Sequence, residues 1–136
     1  MTELTRNKMS VCMNPCQGPF KRVLTVCSAG CLRSPSAANV LHAKYSYNTR
    51  SCGLDTAWAI VPFSETLAFW ADEIVVMESW QAQEIQHSLD VMGLDRPVIC
   101  LNIPDCHDYM SKELVEAIVS SYEAAKASSL VPPHNA

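Results

Sequence analysis

Apolar runs and amphipathic stretches alternate along most of the chain. Short runs rich in β-branched residues predict strands, and stretches with an apolar residue at every third or fourth position predict helices. The pattern predicts strands at 22–27, 48–52, 73–77 and 97–101, and helices at 34–45, from 62–65 to near 70, at 79–92 and at 111–127. This alternation favours a parallel α/β sheet with right-handed crossovers.

The periodic pattern is missing at both ends of the chain. Residues 1–20 mix polar residues with prolines and a glycine, which predicts an extended leader, and residues 129–136 contain two prolines and predict a frayed tail. Residues 56–60 are compatible with a short helical turn. With 136 residues in total, the chain fits one domain, which we place at 21–128.

The first predicted strand ends at Cys27, and Arg33 opens the following helix after five intervening residues. Loop N–H groups and a helix N-terminus converge in such a strand–loop–helix unit, so the loop is suited to bind an anion. The helix N-terminus and the cation of Arg33 favour a thiolate at Cys27, and the planar guanidinium fits phosphate oxygens. A structural cysteine beside a surface arginine is the alternative interpretation of these two residues alone.

The motif Cys27-x5-Arg33-Ser34-Pro35 directly after a first strand resembles the phosphate-binding loop of the low-molecular-weight protein tyrosine phosphatases, in particular short bacterial and phage-type members. The similarity extends over about residues 21–125. Further stretches are similar to the family's second strand, third strand and acid loop: Ser51–Asp55, Trp70–Glu78, and Ile103–Asp105 followed by Tyr109 and Met110.

Two loop positions depart from the family pattern. Gly30 stands where most members have asparagine. Leu32 stands where many members have a second cysteine, and Cys31 lies one position earlier.

The resemblance implies a single-domain, three-layer α/β/α fold with a central four-stranded parallel sheet in the order 2-1-3-4. It implies a hydrolase of phosphotyrosine in proteins, or of small phosphomonoesters, that is inhibited by inorganic phosphate, needs no metal or cofactor, and is a monomer. Cys27 would be the nucleophile, Arg33 the oxyanion clamp and Asp105 the general acid. The phosphate would be bound by loop residues Ser28, Ala29, Gly30, Cys31, Leu32 and Ser34.

Two aromatic residues are candidates for the walls of the substrate site. Trp58 lies near the position of an aromatic wall in the family, and Tyr109 would line the opposite side. Trp58 is equally compatible with a partly buried core position. Asp105 and Asp108 are also compatible with ordinary loop or capping roles.

Composition excludes several classes of function. The net charge is −4 and the ten Lys and Arg residues are scattered, which argues against a nucleic-acid-binding surface. No apolar run approaches the roughly 20 residues that span a bilayer, and the first residues lack the apolar centre of a secretory signal, so we expect no membrane partner and a cytoplasmic protein.

Seven cysteines without an export signal indicate reduced thiols. Two Cys-x3-Cys pairs, at 12 and 16 and at 27 and 31, suggest zinc, but a structural zinc would consume the thiolate of Cys27. Cys52 and Cys100 lie in predicted strands and are expected in the core.

Two other functions remain compatible with the sequence. An arsenate reductase of the same superfamily would use extra thiols as a disulfide relay, for which Cys100 and Cys106 are candidates. A catalytically silent phosphate-binding or partner-binding module is suggested by Gly30.

Overall fold

The computed structural model describes residues 20–27, 33–55, 61–103 and 110–130. The strands are β1 (Arg22–Cys27), β2 (Asn48–Gly53), β3 (Glu73–Val76) and β4 (Val98–Cys100). The helices are α1 (Arg33–Tyr45), α2 (Glu65–Trp70), α3 (Ser79–Met92) and α4 (Lys112–Leu130). All eight predicted strands and helices are confirmed, with bounds that differ by at most a few residues. The predicted turn at 56–60 and nearly all of the leader and tail lie outside the described residues.

The four strands form one parallel sheet in the order β2-β1-β3-β4, as predicted. β1 is central: it pairs with β2 from Arg22↔Asn48 to Cys27↔Gly53, and with β3 up to Val26↔Val76. Because all strands are parallel, their carboxyl ends meet at one rim of the sheet and their amino ends at the other.

The sheet has a hydrophobic core on each face. On one face, Val23 and Val75 pack with buried residues of α1 and α4 such as Leu41 and Ile118. On the opposite face, Leu24, Val26 and Ile74 pack with buried residues of α2 and α3, including Leu67, Ile85 and Leu89. Neighbouring strand residues therefore face different helices, which gives the predicted three-layer arrangement.

The turn from β3 into α3 is fixed by a buried glutamine. The Oε1 atom of Gln81 accepts hydrogen bonds from the backbone N–H of Met77 at 2.9 Å and from that of Glu78 at 3.0 Å. Gln81 is fully buried, so these bonds are shielded from water. At its other end, α3 stops at Gly93, whose φ of 74° is a left-handed conformation that glycine adopts without strain.

A buried carboxylate lies at the amino-end rim. Glu73, the first residue of β3, is 1% exposed and accepts hydrogen bonds from Lys21 at 2.7 Å, from Lys126 at 2.8 Å and from the Tyr122 hydroxyl at 2.8 Å. Burial alone would raise the pKa of this carboxyl, but the bonds from Lys126, Lys21 and Tyr122 lower the pKa below its ordinary value. Glu73 thus joins the start of β1, the start of β3 and α4.

The expected burial of the two strand cysteines is only half right. Cys52 is 1% exposed and lies in the core as predicted. Cys100 is partly exposed, and its thiol donates to Oδ1 of Asn102 at 3.3 Å. Cys100 packs against the core on the α2 and α3 face, but it is the last residue of β4, a strand of only three residues.

Within the described ranges, no helix has the length and apolar character needed to cross a bilayer.

Candidate functional site

The carboxyl-end rim is where parallel α/β sheets bind ligands. Cys27 ends β1 here, Asp55 follows β2 and Met77 follows β3. Backbone hydrogen bonds hold the rim together: Leu54 N–H donates to the Cys27 carbonyl at 3.0 Å, and Ile103 N–H donates to the Met77 carbonyl at 2.8 Å. The end of β1 is therefore bonded to the segment that follows β2, and the segment that follows β3 is bonded to the one that follows β4.

Cys27 is the one predicted catalytic residue whose side chain the structure describes. It is 3% exposed and packs on the sheet face covered by α1 and α4. The backbone of Arg33 begins α1, so five residues connect the cysteine to the helix N-terminus, as predicted. A helix of 13 residues directs a positive dipole end towards this loop.

The remaining predicted site residues are not placed. The side chains of Arg33 and Ser34 are outside what the structure describes, and so are the entire residues of the loop and of both substrate walls: Ser28, Ala29, Gly30, Cys31, Leu32, Trp58, Asp105 and Tyr109. The structure thus gives the two ends of the predicted phosphate-binding loop and both ends of the segment that carries Asp105.

The segment 104–109 is anchored to the rim at both ends. At its start, Ile103 is bonded to Met77 as described above, and Ile103 is 2% exposed. At its end, Met110 N–H donates to the hydroxyl oxygen of Ser36 at 2.9 Å. Ser36 is fully buried in the first turn of α1, so the end of the segment is tied to the helix that follows the predicted phosphate-binding loop.

Met110, and Asn102 immediately before Ile103, have unusual backbone conformations. Asn102 has a φ of 57° and Met110 a φ of 55°, a left-handed region that is uncommon for non-glycine residues and costly for a bulky one. Ser36 is not predicted from the sequence, since its partner Met110 lies 74 residues away along the chain. A run of Ser34-Pro35-Ser36 offers no signal that distinguishes the third residue from ordinary helix-start positions.

Cys52 is a second buried thiol near Cys27. Burial raises the pKa of this thiol well above its ordinary value, and the electrostatic interaction with Cys27 raises it further. Cys52 is paired with Val26, so its side chain lies on the α2 and α3 face of the sheet, whereas that of Cys27 lies on the α1 and α4 face. The arrangement keeps Cys52 protonated and separates its sulfur from Cys27 by the sheet.

Residues suited to hold a metal are not grouped in the described part of the chain: no cluster of three His, Cys, Asp or Glu side chains occurs there. Cys12, Cys16 and Cys31, on which the zinc hypothesis depended, lie outside it.

Comparison with known proteins gives matches among solved structures. No family model matches the chain, and no curated protein matches it. The tyrosine phosphatase Wzb from Escherichia coli K30, solved in complex with phosphate, matches with a TM-score of 0.55 and 18% identity over 80% of this chain and 95% of that chain. The YwlE arginine phosphatase from Geobacillus stearothermophilus matches with a TM-score of 0.55 and 18% identity, over 81% of this chain and 96% of its own.

The tyrosine phosphatase AmsI from Erwinia amylovora also matches, with a TM-score of 0.51 and 18% identity over 82% of this chain and 92% of that chain. The chain has the fold of the low-molecular-weight tyrosine phosphatases. The fold implied by the Cys27-x5-Arg33 motif is therefore confirmed. In the low-molecular-weight phosphatase fold of this chain, Cys27 stands at the end of the central strand, beside the start of α1.

Proposed function

We propose that this protein is a cysteine-dependent phosphomonoester hydrolase that acts on phosphotyrosine in proteins. One observation carries the proposal: in a chain with this fold, Cys27 ends the central strand and Arg33 begins the next helix five residues later. A nucleophile, a helix N-terminus and a guanidinium group on one loop meet the needs of phosphoryl transfer.

The first chemical step is attack by the Cys27 thiolate on phosphorus. The S–P bond forms as the P–O bond to the leaving group breaks, and Asp105 donates a proton to the leaving oxygen. Arg33 and the loop N–H groups stabilise the charge on the three other phosphoryl oxygens. In the second step, water gives a proton to Asp105 and attacks phosphorus, which releases inorganic phosphate and restores the thiolate.

The assignment of Asp105 is supported by the anchors of its loop. Ile103 is fixed to the rim by its bond to Met77. Asp105 lies two residues later, so chain length keeps its Cα within about 7 Å of the Cα of Ile103. Because Met110 is bonded to Ser36, the loop also returns to the first turn of α1. These two constraints favour a position for Asp105 near the phosphate-binding loop.

The substrate class has a specific alternative. YwlE, which matches this chain as well as Wzb does, is described as an arginine phosphatase. Phosphoarginine contains a P–N bond, and its hydrolysis could use the same nucleophile and clamp. Peptides that differ only in carrying phosphotyrosine or phosphoarginine distinguish the two, and we expect higher kcat/KM for phosphotyrosine.

Turnover of p-nitrophenyl phosphate by the purified protein tests the proposal. We expect turnover by the native protein and by Cys100→Ser, a matched control that changes a partly exposed thiol on the edge strand. Cys27→Ser should lose turnover and retain phosphate binding, because the serine hydroxyl is not ionised at neutral pH. Arsenate-dependent consumption of thiols without phosphatase turnover would instead support the arsenate reductase, and phosphate binding without either activity would support a silent binding module.

A further inference from the structure

Trp80 is an exposed aromatic residue at the rim where the candidate active site lies. Among the described residues, four large hydrophobic side chains are strongly exposed: Phe20, Phe69, Trp80 and Val91. Phe20 precedes β1, Phe69 is near the end of α2 and Val91 near the end of α3, which places these three towards the amino-end rim. Trp80 is in the first turn of α3, directly after β3, and is the one of the four at the carboxyl-end rim.

We infer that Trp80 binds the polypeptide part of the substrate beside the phosphorylated residue and favours a basic side chain there. The inference rests on the proposed function, since it assigns a specificity residue to that site. It concerns recognition of the substrate chain and leaves the chemical steps at Cys27 unchanged.

The distance from Cys27 is short enough for this role. The last paired residues of β1 and β3 are Val26 and Val76, so Met77 lies beside Cys27 on the neighbouring strand. With a strand separation of about 5 Å and at most about 11 Å of chain from residue 77 to residue 80, the Cα atoms of Cys27 and Trp80 are within about 16 Å. In an extended peptide, a residue three or four positions from the phosphorylated one spans such a distance.

The tryptophan is held on a rigid turn. Gln81, next in sequence, is the buried side chain that bonds the N–H groups of Met77 and Glu78. The indole N–H of Trp80 donates to a carboxylate oxygen of Glu78 at 3.3 Å. The ring is therefore oriented before a substrate binds, which lowers the entropy lost on binding.

The surroundings of the ring favour a cation. Glu78 is bonded to the indole, and the exposed Glu84 lies one helical turn further along α3, on the same side as Trp80. An indole face attracts Lys or Arg through its quadrupole, and flanking carboxylates strengthen that attraction. An acidic side chain at the same place would be repelled.

Steady-state kinetics with two phosphotyrosine peptides and p-nitrophenyl phosphate test the inference. The peptides share one sequence except for Arg or Glu at positions within four residues of the phosphotyrosine. We expect the native protein to prefer the Arg peptide, and Trp80→Ala to raise KM for this peptide about 2- to 5-fold more than for p-nitrophenyl phosphate, with little change in kcat. Trp80→Phe should retain most of the preference.

Variants with matched chemistry provide the controls. Val91→Ala removes an exposed apolar side chain at the far end of the same helix and should leave the peptide preference unchanged. Glu84→Lys should reduce or reverse the preference for Arg. Glu116→Lys makes the same charge change at an exposed position of α4 and should leave the preference unchanged.

If the ratio of kcat/KM for the Arg peptide to kcat/KM for the Glu peptide is the same in the native protein, Trp80→Ala and Glu84→Lys, this inference is overturned. The phosphatase proposal would still stand. Absence of turnover of every substrate by the native protein would overturn both. Circular dichroism and thermal unfolding of each variant separate loss of recognition from loss of fold.

Discussion

Replacement of Glu73 by glutamine should destabilise the protein substantially. The substitution keeps the size of the side chain and one of its two acceptor oxygens, but it removes the negative charge. In the native protein the carboxylate oxygens accept hydrogen bonds from Lys21, Lys126 and Tyr122. Breaking a buried ion pair at one partner costs about 3–5 kcal/mol when the remaining charge stays buried. Both lysine side chains are 33% exposed and can regain water, so we expect a smaller loss of about 2–3 kcal/mol in the free energy of unfolding.

The loss should depend on pH in a defined direction. The pKa of Glu73 is lower in the folded protein than its ordinary value of 4.5, so the carboxylate contributes stability above that pH and loses it as the pH falls through the folded value. The native protein and Glu73→Gln should therefore differ most near neutral pH and converge in acid.

Denaturant unfolding at pH 7 and at several acidic pH values measures both effects, with Asp72→Asn as the matched control. Asp72 is the preceding residue and pairs with Arg22 at 3.0 Å, but both side chains are exposed, so its loss should cost no more than about 1 kcal/mol. If Glu73→Gln is no more destabilising than Asp72→Asn at pH 7, or if its deficit is unchanged in acid, the role of the buried carboxylate is refuted.

Three further predictions concern the site. Asp105→Asn should slow turnover of phenyl phosphate more than turnover of p-nitrophenyl phosphate, because the poorer leaving group depends more on protonation. Asp108→Asn should leave the ratio of the two kcat values unchanged, and measuring that ratio in each variant checks the prediction. Ser36→Ala should cost about 1–3 kcal/mol of stability, measured by denaturant unfolding, and should shift the same kcat ratio in the direction of Asp105→Asn, because the loop loses an anchor. Peroxide should inactivate the enzyme reversibly, and Cys31→Ala should regain less activity after thiol treatment if Cys31 protects Cys27 as a disulfide.

The fold was predictable because its signals are local. The apolar run that ends at Cys27 and the four-residue and three-residue spacing of Ile85, Leu89 and Met92 are each contained in one element. The strand order followed from the family resemblance of the Cys27-x5-Arg33 motif. The burial of Cys100 was predicted only in part, since an apolar strand pattern does not reveal how completely the last residue of a strand is covered.

The contacts that fix the rims were not predictable from the sequence. Glu73 stands in an otherwise apolar run, and its partners lie 49 to 53 residues away along the chain. Ser36 and Met110 are likewise joined only by the tertiary fold. Gln81 resembles an ordinary polar helix residue until its bonds to the preceding turn are seen.

The covalent intermediate is the most direct test of the central claim. Acid quenching of the native protein during turnover of p-nitrophenyl phosphate, followed by intact-mass measurement and peptide mapping, should reveal one added phosphoryl group on Cys27. Asp105→Asn should accumulate at least as much of this species as the native protein, because the same carboxylate serves as base in its hydrolysis. Turnover without any phosphorylated cysteine under these conditions, or with the group on a residue other than Cys27, would contradict the account.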